Sequence, residues 1–145
     1  MSPKPINDLT HELIGAAIEV HRVLGPGLLE SAYEGAYAQE LNLRGIPYVR
    51  QVALPVSSKG SQIEAGYRLD LVADGRVVVE LKAAEKLFPI HSAQLLTYLR
   101  LGRNPLGLLI NFNVRKLTDG LERVSNAAPN LSAPSAISAF QNSSA

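Results

Sequence analysis

The sequence predicts an α/β domain in which a mixed central sheet is flanked by helices, with the element order ααβββαβ. Apolar residues recur at helical spacing in three segments, whereas the segments between them are rich in Val, Ile and Tyr, as strands are. With 145 residues, of which 46% are hydrophobic, the chain is long enough to form one domain with a sizeable core.

Two helices are predicted at the beginning of the chain. The first covers residues 8–24 and ends at the sequence Gly25-Pro26-Gly27. The second begins near Leu28 and continues to about Arg44, where Gly45 and then Pro47 stop it.

Three strands are predicted next, at residues 49–56, 62–72 and 76–82. Pro55 indicates that the first is an edge strand or ends there. A third helix at residues 89–101 leads into a buried strand at residues 106–112, and residues 116–124 form one further short element of unspecified type.

Composition excludes several kinds of site. The chain has no cysteine, which excludes disulfide scaffolds, thiol nucleophiles and thiolate zinc sites. Its three histidines are few for a site made of imidazole ligands alone, so any metal chemistry is expected to use carboxylates and a hard cation such as Mg²⁺ or Mn²⁺. A net charge of +1 means that a nucleic-acid site would be a local patch.

The ends of the chain carry little structural signal. The first residues lack the pattern of a signal peptide, and no apolar run approaches the roughly 20 residues that span a bilayer. We therefore expect a cytoplasmic protein without membrane contact. Residues 125–145 contain no charged residue and are dominated by Ser, Ala, Asn and Pro, so we expect a flexible tail after a domain at residues 1–124.

Charged residues interrupt the apolar pattern of the third predicted strand, RVVVELKA. Val77, Val79 and Leu81 face one side, whereas Glu80 and Lys82 face the other. A strand this apolar is expected at the centre of the sheet, where charged groups are costly unless they are paired or hold a ligand. The alternative is that both charged residues lie in water at a frayed strand end.

Asp70 interrupts the preceding strand, and the turn between the two strands decides whether it meets Glu80. A two-residue turn at Asp74-Gly75 would put Asp70 opposite Val79 and Glu80 on the other side of the sheet. A three-residue loop starting at Ala73 would put Asp70 opposite Val78, with Glu80 as its diagonal neighbour on the same face. The Asp-Gly sequence suits both turns, and a joint site requires the odd loop.

Asp70, Glu80 and Lys82 would together have the parts needed to hydrolyse a phosphodiester. Two converging carboxylates repel each other unless a cation such as Mg²⁺ neutralises them. The cation activates a water and stabilises charge on a phosphoryl oxygen, and Lys82 can orient that water or stabilise developing negative charge.

The sequence also resembles a known family. Residues 27–33, GLLESAY, have the pattern G-x-x-E-x-x-Y, and the phrases RGIPYVRQ, VVVELKA and LLINF fit as well. Over roughly residues 9–124 the chain resembles the GxxExxY family, which is placed in the PD-(D/E)XK nuclease superfamily. The resemblance implies a restriction-endonuclease-like αβββαβ core and a divalent-metal-dependent nuclease, with Asp70 and Glu80 as metal ligands and Lys82 as the lysine of the motif. Leu69 stands where the motif has proline.

The resemblance gives roles to three further residues. Glu30 matches a helical acid that many superfamily members add to the metal site, although a carboxylate in the first turn of a helix is also stabilised by the helix dipole alone. Gln94 and Tyr98 look like the Q-x-x-x-Y motif of the exonuclease branch and would hold the attacking water or the substrate backbone. They are four residues apart and share one helix face, which is equally typical of a polar outer surface.

The expected substrate is nucleic acid, more specifically DNA, and a homodimer would suit the cutting of two strands. Basic residues available for phosphate contacts are Arg50, Arg68, Lys86, Arg100 and Arg103, although exposed arginines and lysines commonly serve solubility. Two alternatives stay open: a non-catalytic nucleic-acid-binding or partner-assembly module on a nuclease fold, and a carboxylate metal site acting on a small phosphorylated molecule.

Overall fold

A computed structural model describes residues 3–63 and 67–127, and it has the expected mixed α/β architecture. The helices are α1 (Ile6–Leu24), α2 (Glu30–Arg44) and α3 (Pro89–Gly102). The strands are β1 (Tyr48–Ala53), β2 (Val56–Ser58), β3 (Ser61–Ile63), β4 (Arg68–Ala73), β5 (Val77–Lys82), β6 (Leu106–Asn111) and β7 (Leu121–Ser125).

The central sheet has the strand order β1-β4-β5-β6-β7, and β2 and β3 form a separate hairpin. β5 and β6 are parallel and are joined by α3, whereas the other neighbours in the sheet are antiparallel. β5 is therefore the central strand, as expected. β1 is an edge strand and ends before Pro55, so both alternatives that Pro55 left open apply.

The two faces of β5 pack against different helices. Val77, Val79 and Leu81 belong to a core formed with α1 and α2. Val78 belongs to a second core that includes Leu95 of α3. Because side chains alternate along a strand, Glu80 and Lys82 lie on the face of Val78, opposite Val77, Val79 and Leu81 as predicted, and this face is the one that packs against α3.

Helix α2 begins at Glu30, two residues later than predicted. Leu29 has extended backbone angles, φ −71° and ψ 151°. The Tyr33 hydroxyl donates to the Gly25 carbonyl and accepts a hydrogen bond from the Leu28 N–H at 3.1 Å. These two bonds keep the connection between α1 and α2 in a non-helical conformation.

Several predicted strands are shorter in the structure. Pro55 separates β1 from β2, so residues 49–56 do not form one strand. The predicted strand at residues 62–72 includes β3 and β4, and residues 64–66 lie outside the described residues. Arg76 belongs to the turn before β5, and residues 116–124 contain a short 3₁₀ helix (Leu117–Gly120) followed by most of β7.

β7 extends to Ser125, one residue past the domain boundary expected from composition. Asn126 is also buried, and its side-chain amide donates to the carbonyls of Leu99 and Asn104. Residues 128–145, most of the predicted tail, lie outside the described part of the chain. Within the described ranges, the structure contains no helix with both the length and the apolar character to span a membrane.

Candidate active site

Asp70 and Glu80 meet where the ladder between β4 and β5 ends. The last paired residues are Leu71 and Val79, and the same register continued by one step places Asp70 opposite Glu80. Beyond the last paired residues, the carboxylates of Asp70 and Glu80 accept backbone N–H groups in place of main-chain carbonyls. The Asp70 N–H donates to Glu80 Oε1 at 3.2 Å, and the Leu81 N–H donates to Asp70 Oδ2 at 2.8 Å.

The turn between these strands explains why the two carboxylates share a face. Asp74 and Gly75 have positive φ values, 52° and 67°, and the Arg76 N–H donates to the Ala73 carbonyl at 2.9 Å, as in a two-residue turn. Ala73 nevertheless pairs with Val77, so Arg76 is an extra residue that restores the odd spacing. The three-residue loop expected for a joint site is present, but it begins at Asp74 and ends at Arg76 instead of beginning at Ala73. The predicted pairing of Asp70 with Val78 is therefore wrong.

Burial makes this pair of carboxyl groups hard to ionise. Glu80 is 7% exposed. Desolvation, with the nearby charge of Asp70 second, raises the pKa of Glu80 to about 9. Desolvation also raises the pKa of Asp70, although the hydrogen bond from Leu81 opposes this shift. Without a cation, the pair therefore keeps one proton at neutral pH.

The pair opens into a pocket of about 160 Å³. Its walls include Lys82 of β5 together with Gln94 and Tyr98 of α3. Since Gln94 and Tyr98 lie four residues apart on α3, both reach the same pocket from one helix face. The structure thus brings together the five residues that the sequence singles out for catalysis.

Residues 7–124 match the family model of the PD-(D/E)XK nuclease superfamily. The chain belongs to this superfamily. The match covers more than three quarters of the chain and extends from α1 into β7. Comparisons with curated proteins and with solved structures gave no match.

Membership in the PD-(D/E)XK nuclease superfamily suggests nuclease activity on a nucleic-acid substrate, and its nucleases generally use divalent metal ions. Asp70 and Glu80 fit such an ion. Their carboxylate oxygens are the hard donors that Mg²⁺ and Mn²⁺ prefer. A cation between them would also remove the repulsion that raises the pKa of Glu80.

Glu30 lies near this site but outside the pocket lining. Desolvation raises the pKa of Glu30, attraction to Lys82 opposes the shift, and the charge of Asp70 adds to it. Among residues 3–63 and 67–127, no group of three or more His, Cys, Asp or Glu side chains is placed to hold a metal ion. Any direct ligand role for Glu30 therefore stays a prediction.

Tyr33 fixes the position of Glu30. Its ring is fully buried and stacks on Phe112, with ring centroids 4.6 Å apart and planes 7° from parallel. Its hydroxyl holds the Gly25 carbonyl and the Leu28 N–H, which lie on the connection leading to α2. In the G-x-x-E-x-x-Y pattern, the tyrosine thus sets where α2 starts, and with it the place of the glutamate.

Glu34 is a charged residue near the site that sequence reasoning missed. It is buried, and its carboxylate accepts hydrogen bonds from Arg50 at 2.9 Å and from the Gln51 side chain at 2.8 Å. Its charge raises the pKa of Asp70 and of Glu30. Its spacing of four residues from Glu30, which puts both on one face of α2, was the signal available in the sequence.

The basic residues expected to contact phosphate lie in different places. Arg68 lines the pocket and donates to the Gln51 carbonyl at 3.3 Å. Arg50 is paired with Glu34, and the Lys86 ammonium lies 5.2 Å from the centre of the Phe88 ring. The last two are at the C-terminal end of α3: Arg100 is exposed, and Arg103 is the residue that ends the helix with a left-handed backbone.

Proposed function

We propose that the protein is a divalent-metal-dependent nuclease of the GxxExxY family that hydrolyses phosphodiester bonds, with DNA preferred to RNA. The observation that supports this most directly is the convergence of Asp70, Glu80 and Lys82 on one pocket of a PD-(D/E)XK domain. The buried carboxyl group of Glu80 and the half-buried one of Asp70, beside a lysine, have no evident structural use, because apolar side chains would fill the same space at lower cost.

In this proposal Asp70 and Glu80 hold Mg²⁺ or Mn²⁺. The bound ion supplies Lewis acidity toward the phosphate and toward a nearby water. The Asp70 carboxylate already accepts the Leu81 N–H, and the Glu80 carboxylate accepts the Asp70 N–H. Each bond fixes one carboxylate oxygen and leaves the other oxygen for the cation.

The remaining pocket residues act on the substrate. Lys82 carries a positive charge on the same face as Glu80, so it orients the attacking water or stabilises negative charge developing on the phosphoryl oxygen. Gln94 and Tyr98 hold that water or the substrate backbone by hydrogen bonds. Arg68 at the pocket wall contacts a phosphate. The other four basic residues do not line the pocket, and they contact phosphates farther along the nucleic acid: Arg50, which is paired with Glu34, and Lys86, Arg100 and Arg103.

Three further expectations belong to the same proposal. The nuclease-like domain ends after Asn126, the protein acts in the cytoplasm, and two copies associate when both strands of a duplex are cut. None of the three is needed for the chemistry of the pocket, which lies within a single chain.

Cleavage of labelled DNA by the purified protein tests the proposal. We expect cleavage with Mg²⁺ or Mn²⁺, none with EDTA, and none for Asp70→Asn or Glu80→Gln. The control is Asp119→Asn, which changes an exposed carboxylate of the 3₁₀ helix. If the intact protein binds DNA but cuts neither DNA nor RNA with either ion, the non-catalytic module replaces the nuclease; cleavage that survives both site variants would place the chemistry elsewhere.

A further inference from the structure

A second and larger pocket adjoins the carboxylate pocket. It has a volume of about 330 Å³ and shares Gln94 and Tyr98 with the smaller pocket. Most of its other walls are apolar and come from both sides of Pro55 and from α3, including Leu54, Val56 and Leu101. The proposed hydrolysis makes no use of this space.

Two tyrosines give this pocket its chemical character. The rings of Tyr67 and Tyr98 both line it, with centroids 6.1 Å apart and planes inclined by 46°. Tyr67 is 52% exposed, so part of its ring is open to a ligand. Tyr98 lines both pockets, and burial together with the charges of Glu80 and Asp70 raises the pKa of its hydroxyl.

We infer that the larger pocket, which we name the base pocket, holds an unpaired nucleobase of a single nucleic-acid strand whose neighbouring phosphate lies at Asp70 and Glu80. This inference rests on the proposed function and specifies the form of its substrate. Aromatic side chains stack with any base, because every base has a π-face. Gln94 and Thr97 add polar groups that can bond to the edge of a base.

A base in a duplex cannot occupy this pocket. Both of its faces are covered by stacking and its edge is paired, so it must first leave the helix. A single strand or a frayed strand end needs no such step. Arg68 and Lys82 line the adjoining pocket and provide positive charge for a phosphate next to the base, which an apolar pocket for a neutral peptide would not require.

Fluorescence polarisation in EDTA measures this binding without cleavage. Three labelled probes are compared: a single DNA strand, a duplex of the same sequence with G·C pairs at both ends and no loop, and an abasic strand of equal length. We expect the single strand to bind about tenfold more tightly than the other two, within the range that one base–aromatic contact provides. A matched RNA strand shows whether the base can also come from RNA, and Tyr67-dependent binding of either strand supports the pocket.

Variants of Tyr67 identify the pocket. Tyr67→Ala is expected to weaken binding of the single strand about tenfold and to leave the abasic strand unchanged, whereas Tyr67→Phe keeps the ring and the affinity. Phe88→Ala is the matched control, because Phe88 is also 52% exposed but does not line the pocket.

Equal affinity for all three DNA probes, or a loss in Tyr67→Ala that the abasic strand shares, would overturn the base pocket. Cleavage assays with Mg²⁺ distinguish failure of the base pocket from failure of the proposed nuclease function. A protein that cuts DNA without dependence on Tyr67 overturns the pocket alone. Base-dependent binding without any cleavage supports the pocket and overturns the nuclease.

Discussion

Asp70 and Glu80 exchange hydrogen bonds with each other's strands at the point where β4 and β5 stop pairing through their main chains. Asp70 Oδ2 accepts the Leu81 N–H at 2.8 Å, and Glu80 Oε1 accepts the Asp70 N–H at 3.2 Å. This reciprocal arrangement fixes two carboxyl groups side by side in a buried place. It gives the protein a preformed acidic pair whose charge depends on pH and on cations.

Cation binding by the pair is the first prediction. Titration calorimetry with Mn²⁺ should show one site in the intact protein and none in Asp70→Asn or Glu80→Gln, because each variant removes a charged oxygen ligand. Glu85→Gln, which changes an exposed glutamate after β5, serves as the control and should bind as the intact protein does. Binding that both site variants retain would show that the cation lies elsewhere.

Stability of the metal-free protein should fall as the pH rises. The pKa of Glu80 is 4.5 in a model peptide and about 9 in the folded protein. Between these values the unfolded chain has released a proton that the folded protein keeps, so each pH unit favours unfolding by up to about 1.4 kcal/mol. Urea unfolding in EDTA at pH 5.5, 7 and 8.5 measures this slope.

The Glu80→Gln variant assigns that slope to one residue. With no proton to lose at position 80, its stability should vary less with pH than that of the intact protein. Adding Mn²⁺ to the intact protein should reverse the trend, because the cation binds the ionised pair and drives the proton off. An unchanged slope in Glu80→Gln would assign the titration to another group.

Lys82 is predicted to serve catalysis and not folding. Lys82→Ala should abolish DNA cleavage, since the positive charge beside the attacked phosphate is lost. Its circular dichroism spectrum and unfolding midpoint should remain within error, because the side chain is only half-buried at the end of β5. Lys116→Ala, an exposed lysine ahead of the 3₁₀ helix, should cut normally. Cleavage retained by Lys82→Ala would remove the lysine from the mechanism.

Tyr33 and Tyr37 both lie on α2, and their Tyr→Phe variants can be compared directly. Tyr33→Phe loses the bonds to the Gly25 carbonyl and the Leu28 N–H, and Tyr37→Phe loses a bond of 2.9 Å to the Leu13 carbonyl. Both variants should lose about 1–2 kcal/mol of stability in urea unfolding. We expect reduced cleavage only for Tyr33→Phe, because only that change frees the connection that positions Glu30. Equal loss of cleavage in both would make the effect one of general stability.

The central strand was predictable from sequence, because the apolar pattern of residues 77–81 requires a strand covered on both faces. The register of Asp70 was not. It depends on Arg76, an extra residue beside a turn whose local sequence suits several geometries, and the odd spacing was inferred only from the chemistry it permits. Local preference cannot choose between turns of nearly equal energy, and the packing of the whole sheet decides.

Glu34 and the base pocket were missed for a different reason. The Glu34 carboxylate is hydrogen-bonded by Arg50 and Gln51, which are 16 and 17 residues away in the sequence. Tyr67 meets Tyr98 across the space between the start of β4 and α3. Such contacts between distant segments leave no periodic signal in a sequence. The spacing of Glu30 and Glu34 indicates a shared face of α2, but it does not identify the partners of Glu34.

Gln51 has a further consequence for the open edge of the sheet. It lies in the middle of the edge strand β1, opposite Asp70 in register, and its φ of 52° is unusual for a strand residue. The regular pairing of β1 with β4 is interrupted at this point, between Arg50 and Val52. A strand from another molecule needs an unbroken row of N–H and C=O groups to attach. We therefore expect the irregularity at Gln51, whose side chain bonds to Glu34, to disfavour edge-to-edge aggregation.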